Sequence, residues 1–103
     1  MTWTAKSGES LPPHLLRLLE RAQCLDLTSV WIFGSRARGD ARPESDFDLA
    51  FQFQNKSNWN AFCTEIREDP PGLYRYDLVD LDQIEPGFKN HILKEGVKIY
   101  ERR

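Results

Sequence analysis

Two pairs of residues in this sequence have the types and spacing for phosphate chemistry. Asp46 and Asp48 lie in a stretch that sets Phe47, Leu49, Phe51 and Phe53 against Asp46, Asp48, Ala50 and Gln52. That alternation reads as a strand, so both carboxylates leave one face, roughly 6 to 7 Å apart along the backbone. Carboxylate oxygens so disposed suit Mg²⁺, which commonly takes one or two carboxylates together with substrate phosphates. Gly34 and Ser35, separated from Asp46 by residues 36–45, end an apolar run abruptly. A glycine lets backbone close on a ligand, and a helix starting there offers unpaired N–H groups to an anion. Ser35 adds a hydroxyl, and Arg36 or Arg38 could neutralise charge on a departing phosphate.

Displacement at phosphorus often uses two ions about 4 Å apart, with a third carboxylate to hold the second ion and activate the attacking hydroxyl. Asp77 is the candidate. In the stretch from Tyr74 to Leu81 it shares a face with Val79 and Leu81, so it is expected to point to the packed side, where a solitary carboxylate needs a partner. Asp80 points the other way by the period of two, and Asp82 lies at the strand's end; both stay open as alternatives.

These residues need a frame. Ser10 can cap a helix from Leu11 to Cys24, in which Leu15, Leu18, Leu19 and Ala22 recur at helical spacing. Leu27 to Phe33 reads as a central strand, Ser35 to Gly39 as a short helix, and Asp46 to Phe53 as the second strand. Ser57 or Asn58 can cap a helix that carries Trp59, Phe62 and Ile66 and ends at Asp69-Pro70-Pro71-Gly72. Leu73 to Leu81 is the third strand, Pro86 to Lys94 the last helix, Gly96 its terminator, and Val97 to Tyr100 a final strand. The implied class is α+β (α/β), a mixed sheet of about four strands with helices packed on one side.

The chain has 103 residues, 40% hydrophobic and 29% charged, which fits one domain over residues 1–103 with 1–10 as a flexible leader. Trp3 falls in that leader, as a partner contact or nothing. The net charge of -2 supplies no general attraction to a polyanion, so nucleic-acid binding is not expected. Cys24 and Cys63 read as reduced core thiols. No stretch is long enough to span a bilayer, and the cytoplasm follows.

A lone Gly-Ser is usually a turn and a lone Asp-x-Asp usually a solvated strand face; together, on strands, they point to a site. Arg38 is left out of it, since Asp40 and Glu44 offer surface pairing. Trp31, Trp59, Phe62, Phe88 and Tyr100 sit at periodic apolar positions and read as core. His14 and His91 lack a second ligand at metal spacing.

The string GSRARGDARPESDFDLA resembles the polymerase-beta-like nucleotidyltransferases, and within them the minimal nucleotidyltransferase (MNT) antitoxins that accompany HEPN-domain ribonuclease toxins. The resemblance covers most of the chain, including the YDLVDL segment. It implies the nucleotidyltransferase fold, Gly34, Ser35 and Arg36 on the nucleotide, and Asp46, Asp48 and Asp77 as catalytic Mg²⁺ ligands. It further implies ATP as donor and a tyrosine of a HEPN toxin as acceptor of AMP. Larger relatives add a domain that closes over the site, for which 103 residues leave no room, so either the partner supplies the lid or the site stays open. A binding-only antitoxin, and a transferase acting on a small-molecule or RNA hydroxyl, remain the alternatives.

Overall fold

The computed structural model describes residues 3–6 and 10–102. The elements run α1 (Pro13–Gln23), β1 (Leu27–Phe33), α2 (Ser35–Arg38), β2 (Phe47–Phe53), α3 (Lys56–Glu68), β3 (Tyr76–Asp80), α4 (Pro86–Glu95) and β4 (Val97–Glu101). The expected order of elements is present, with shifted ends. α1 follows Pro12 with no side-chain cap, so Ser10 does not cap it, while Asn55 caps α3 by accepting from the Ser57 N–H.

The strands order as β3-β2-β1-β4. β1 pairs antiparallel with β2 and β4, and β2 pairs parallel with β3. The sheet is therefore mixed, because β2 and β3 are joined by a crossover through α3, whereas β1 and β2 are joined by a short return through α2.

Helices cover both faces, not one. Leu15, Leu18, Leu19 and Ala22 of α1 and Phe62 and Ile66 of α3 pack with Val30, Ile32, Leu49 and Phe51 in one core. On the other face Ile92 of α4 packs with Ala50, Leu81, Trp31 and Val79. The alternation is responsible: β1 is apolar on both sides, as a central strand must be when each face is covered.

Trp3 belongs to the core rather than to a free leader. It is 9% exposed, and its indole Nε1 donates to the Ser10 carbonyl. The Ala5 N–H donates to the Arg36 carbonyl, so the described part of the opening segment is tied across α2. Residues 1, 2 and 7–9 of the expected leader lie outside the described residues. Cys24 and Cys63 are free thiols, but Cys24 is exposed rather than core. Among the described residues, no helix is long and apolar enough to cross a membrane.

His14 is a buried member of this core. The Tyr76 hydroxyl donates to the Pro71 carbonyl at 2.6 Å and lies 2.7 Å from His14 Nδ1. A hydroxyl has one proton to give, so His14 must donate from Nδ1, which leaves Nε2 bare. That atom is buried without a partner. Burial first, then Arg17 and Arg36, lower the imidazole pKa to about 4, so the ring is neutral.

Candidate active site

Three strand ends meet at one edge of the sheet. Gly34 follows β1 with φ 73° and ψ -152°, a region open essentially to glycine alone. A β-carbon there would overlap the Asp48 carboxylate. The missing side chain thus serves two ends, turning the chain and letting α2 begin directly against an acid. α2 closes on Gly39 in the left-handed region, φ 92°. The first N–H groups of so short a helix have no acceptor within it, and Ser35 beside them is half-buried.

Register aligns the remaining groups. Phe33 pairs with Asp48 across β1 and β2, and Asp48 pairs with Asp77 across β2 and β3. Cross-strand partners project from one face, so Phe33, Asp48 and Asp77 form a row, with Asp46 next to it just ahead of β2. Asp48 is half-buried, while Asp46 and Asp77 are exposed. Burial first, then Asp77 and Asp46, hold the Asp48 carboxyl above its ordinary range, and Arg38 partly offsets them.

Mutual repulsion of this kind is relieved by a cation, and an all-oxygen donor set suits a hard one. Among the described residues, no three His, Cys, Asp or Glu side chains close into a metal cage by themselves. The rest of an octahedral shell would fall to phosphate oxygen and water, the usual division for Mg²⁺.

Several expected positions change. Asp77 does not point into packed side chains; it is exposed, because α4 covers the sheet only as far as Val79. Arg36 is not available to a phosphate. It is 1% exposed, its Nη1 donates to the Trp3 carbonyl at 2.6 Å, and its Nη2 donates to the Ser45 and Pro43 carbonyls at 2.8 and 3.3 Å. Its guanidinium also lies 4.1 Å from the Phe47 ring centroid. Arg38, set aside on sequence grounds, is the exposed one that acts on Asp48. Asp80 is buried on the other face against Lys56 at 2.5 Å, and Asp82 accepts from Gln52 Nε2, so both are structural.

Phe88 also departs from expectation. It is 38% exposed rather than core, with its ring 5.6 Å from that of Phe33 and nearly perpendicular to it. On the opposite flank a cavity of about 610 Å³ opens along the outer edge of β3; Asp46 and Asp77 line it together with Arg67, Arg75 and Tyr74. The carboxylates therefore stand between an aromatic pair on the β1 side and a basic cleft on the β3 side.

No curated protein matches the sequence. Among solved structures, a toxin–antitoxin with AMP-PNP aligns with a TM-score of 0.65 at 18% identity, covering 87% of this chain and 73% of that one. A candidate minimal nucleotidyltransferase aligns with a TM-score of 0.61 at 24% identity, over 87% of this chain and 98% of that one. A tri-AMPylated Shewanella oneidensis HEPN toxin in complex with MNT antitoxin gives a TM-score of 0.53 at 16% identity, over 85% and 67%. At these identities the likeness is one of fold, a mixed sheet of four strands with four helices. The sequence pattern of the family described as Polymerase beta, Nucleotidyltransferase matches residues 17–103, and this chain belongs to that family.

Proposed function

We propose that this protein transfers AMP from ATP, with Mg²⁺, to a tyrosine of a HEPN-domain toxin, and that it does so in the cytoplasm as an antitoxin. The observation that carries the reading is the row Asp48–Asp77, with Asp46 beside it and Gly34 packed against it. When bound, Mg²⁺ held by Asp46 and Asp48 with Asp77 supplies charge neutralisation on the triphosphate and geometry for displacement at phosphorus.

The chain's own residues divide the remaining tasks. Ser35 and the free N–H groups at the start of α2 receive the outer phosphates, and Arg38 offsets their charge. Attacking and leaving oxygens lie roughly in line at phosphorus. With pyrophosphate leaving toward Gly34-Ser35 on the β1 side, the acceptor approaches from the β3 side, where the cleft borders Asp77. The acceptor oxygen bonds to the α-phosphorus as the bond from that phosphorus to the pyrophosphate oxygen breaks. Pyrophosphate leaves with the electron pair, and the hydroxyl proton passes to Asp77. A tyrosine with an unperturbed pKa near 10 needs such a base. The HEPN partner is supported by the fold's likeness to an MNT antitoxin solved with its AMPylated toxin.

The test is the intact mass of the neighbouring toxin after incubation with ATP, Mg²⁺ and this protein. Mass added in AMP units, lost with EDTA and reduced on the order of 10²-fold or more by Asp48→Asn, is the expected result. An unmodified toxin that is nonetheless inhibited would replace this reading with a binding-only antitoxin.

A further inference from the structure

Phe88 is a large apolar side chain left partly open to solvent. It lies in the first turn of α4, a helix whose buried residue is Ile92, and its ring is left 38% exposed at the end of the sheet. What it meets is Phe33, edge to face at 5.6 Å. Phe33 in turn is the register partner of Asp48 and is immediately followed by Gly34. Strand spacing of about 5 Å together with the ring separation puts the exposed ring on the order of 10 Å from the carboxylate row. That is about the reach of a nucleoside from its α-phosphate.

The other flank is not available to the donor's base. There the carboxylates open onto the β3 cleft, which in-line geometry leaves to the acceptor. On the β1 side the charged side chain of α4's first turn is engaged elsewhere: Lys89 pairs with Asp82 at 3.7 Å. Besides Arg38 of α2, which acts on Asp48, this flank carries an exposed aromatic ring set nearly perpendicular to a second ring.

We propose that Phe88, braced by Phe33, is the platform on which the base of the donor nucleotide stacks. This rests on the nucleotidyltransferase reading and adds a rule for donor choice. A stacking surface reads the size of a π-face rather than its hydrogen-bonding edge, so the site takes purine triphosphates in preference to pyrimidine ones and separates ATP from GTP only weakly.

The test is calorimetric titration of the whole protein with ATP, GTP, CTP and inorganic tripolyphosphate in the presence of Mg²⁺, for the natural sequence, Phe88→Ala and Phe88→Tyr. Phe88→Ala is expected to weaken ATP and GTP about 10-fold, CTP less, and tripolyphosphate not at all, with Phe88→Tyr restoring purine binding. Equal ATP affinity with and without the ring overturns the platform, as does a parallel loss of tripolyphosphate, which would mean that the site had been distorted. Protein that binds ATP through Phe88 yet adenylates no toxin removes the acceptor proposed above and leaves the platform standing. Protein that binds none of these ligands overturns both.

Discussion

On one face of β2, Phe47, Leu49, Phe51 and Phe53 are buried beneath α1 and α3; on the other, Asp48 is half-buried beside Asp46 and Asp77, which are exposed. The same strand thus carries core side chains on one face and, on the other, an acid pressed by the charge of its neighbours. Acids kept next to one another against their charge need a rigid strand, and the rigidity comes from the opposite face.

The sharpest way to break this contrast is to cut into each face separately. Phe51→Ala should cost about 3–5 kcal/mol of unfolding free energy, read by chemical denaturation. Asp48→Asn, three residues away on the strand and so facing oppositely, should cost none and raise stability at neutral pH. The sign follows from linkage: a carboxyl with a raised pKa binds its proton more tightly in the fold, so stability falls as pH rises past the unfolded value, and an amide removes that loss. If the amide destabilised as the alanine does, Asp48 would be part of the packing and the contrast would be false.

Arg36 and Arg38 repeat the contrast within one turn of α2. Arg36→Met strips the carbonyls of Trp3, Ser45 and Pro43 of their donor and should cost about 2–3 kcal/mol. Arg38→Met should leave stability within about 0.5 kcal/mol while weakening triphosphate binding. Thermal melts paired with nucleotide titration separate the two, and equal melting temperatures would contradict the assignment.

A last contrast is read by pH. His14 belongs to the packed side, and its folded pKa of about 4 lies below the ordinary 6.5. The unfolded chain therefore takes a proton first, and stability is lost as pH falls from about 6.5 toward about 4. The slope is at most about 1.4 kcal/mol per pH unit. His14→Gln should flatten the denaturation midpoint across that window. Asp48 and His14 thus bias stability in opposite directions, one on each side of the sheet.

Much of the frame is legible in the sequence because it rests on period. The alternation of β2, the apolar run of β1 and the Gly34-Ser35 break each follow from residues that repeat or stop. What escaped has no period to read. α2 has four residues, too few to tell by phase which arginine faces in, and Arg36 is buried because Trp3 closes over it from a segment without any pattern. The exposure of Asp77 depends on where α4 stops covering the sheet. Phe88 sits at an apolar position that looks like core, and its exposure shows only once the start of α4 is placed at the end of the sheet.

The segment ahead of α1 straps the turn below it. The Trp3 carbonyl accepts from Arg36 and the Ala5 N–H donates back to it, gripping the residue next to Ser35 from both sides. An affinity tag or a protease acting ahead of α1 therefore pulls on the Gly34-Ser35 turn without coming near a carboxylate. Where such a tag is fused becomes a choice about the candidate active site, and shaving the first residues is a way to loosen it.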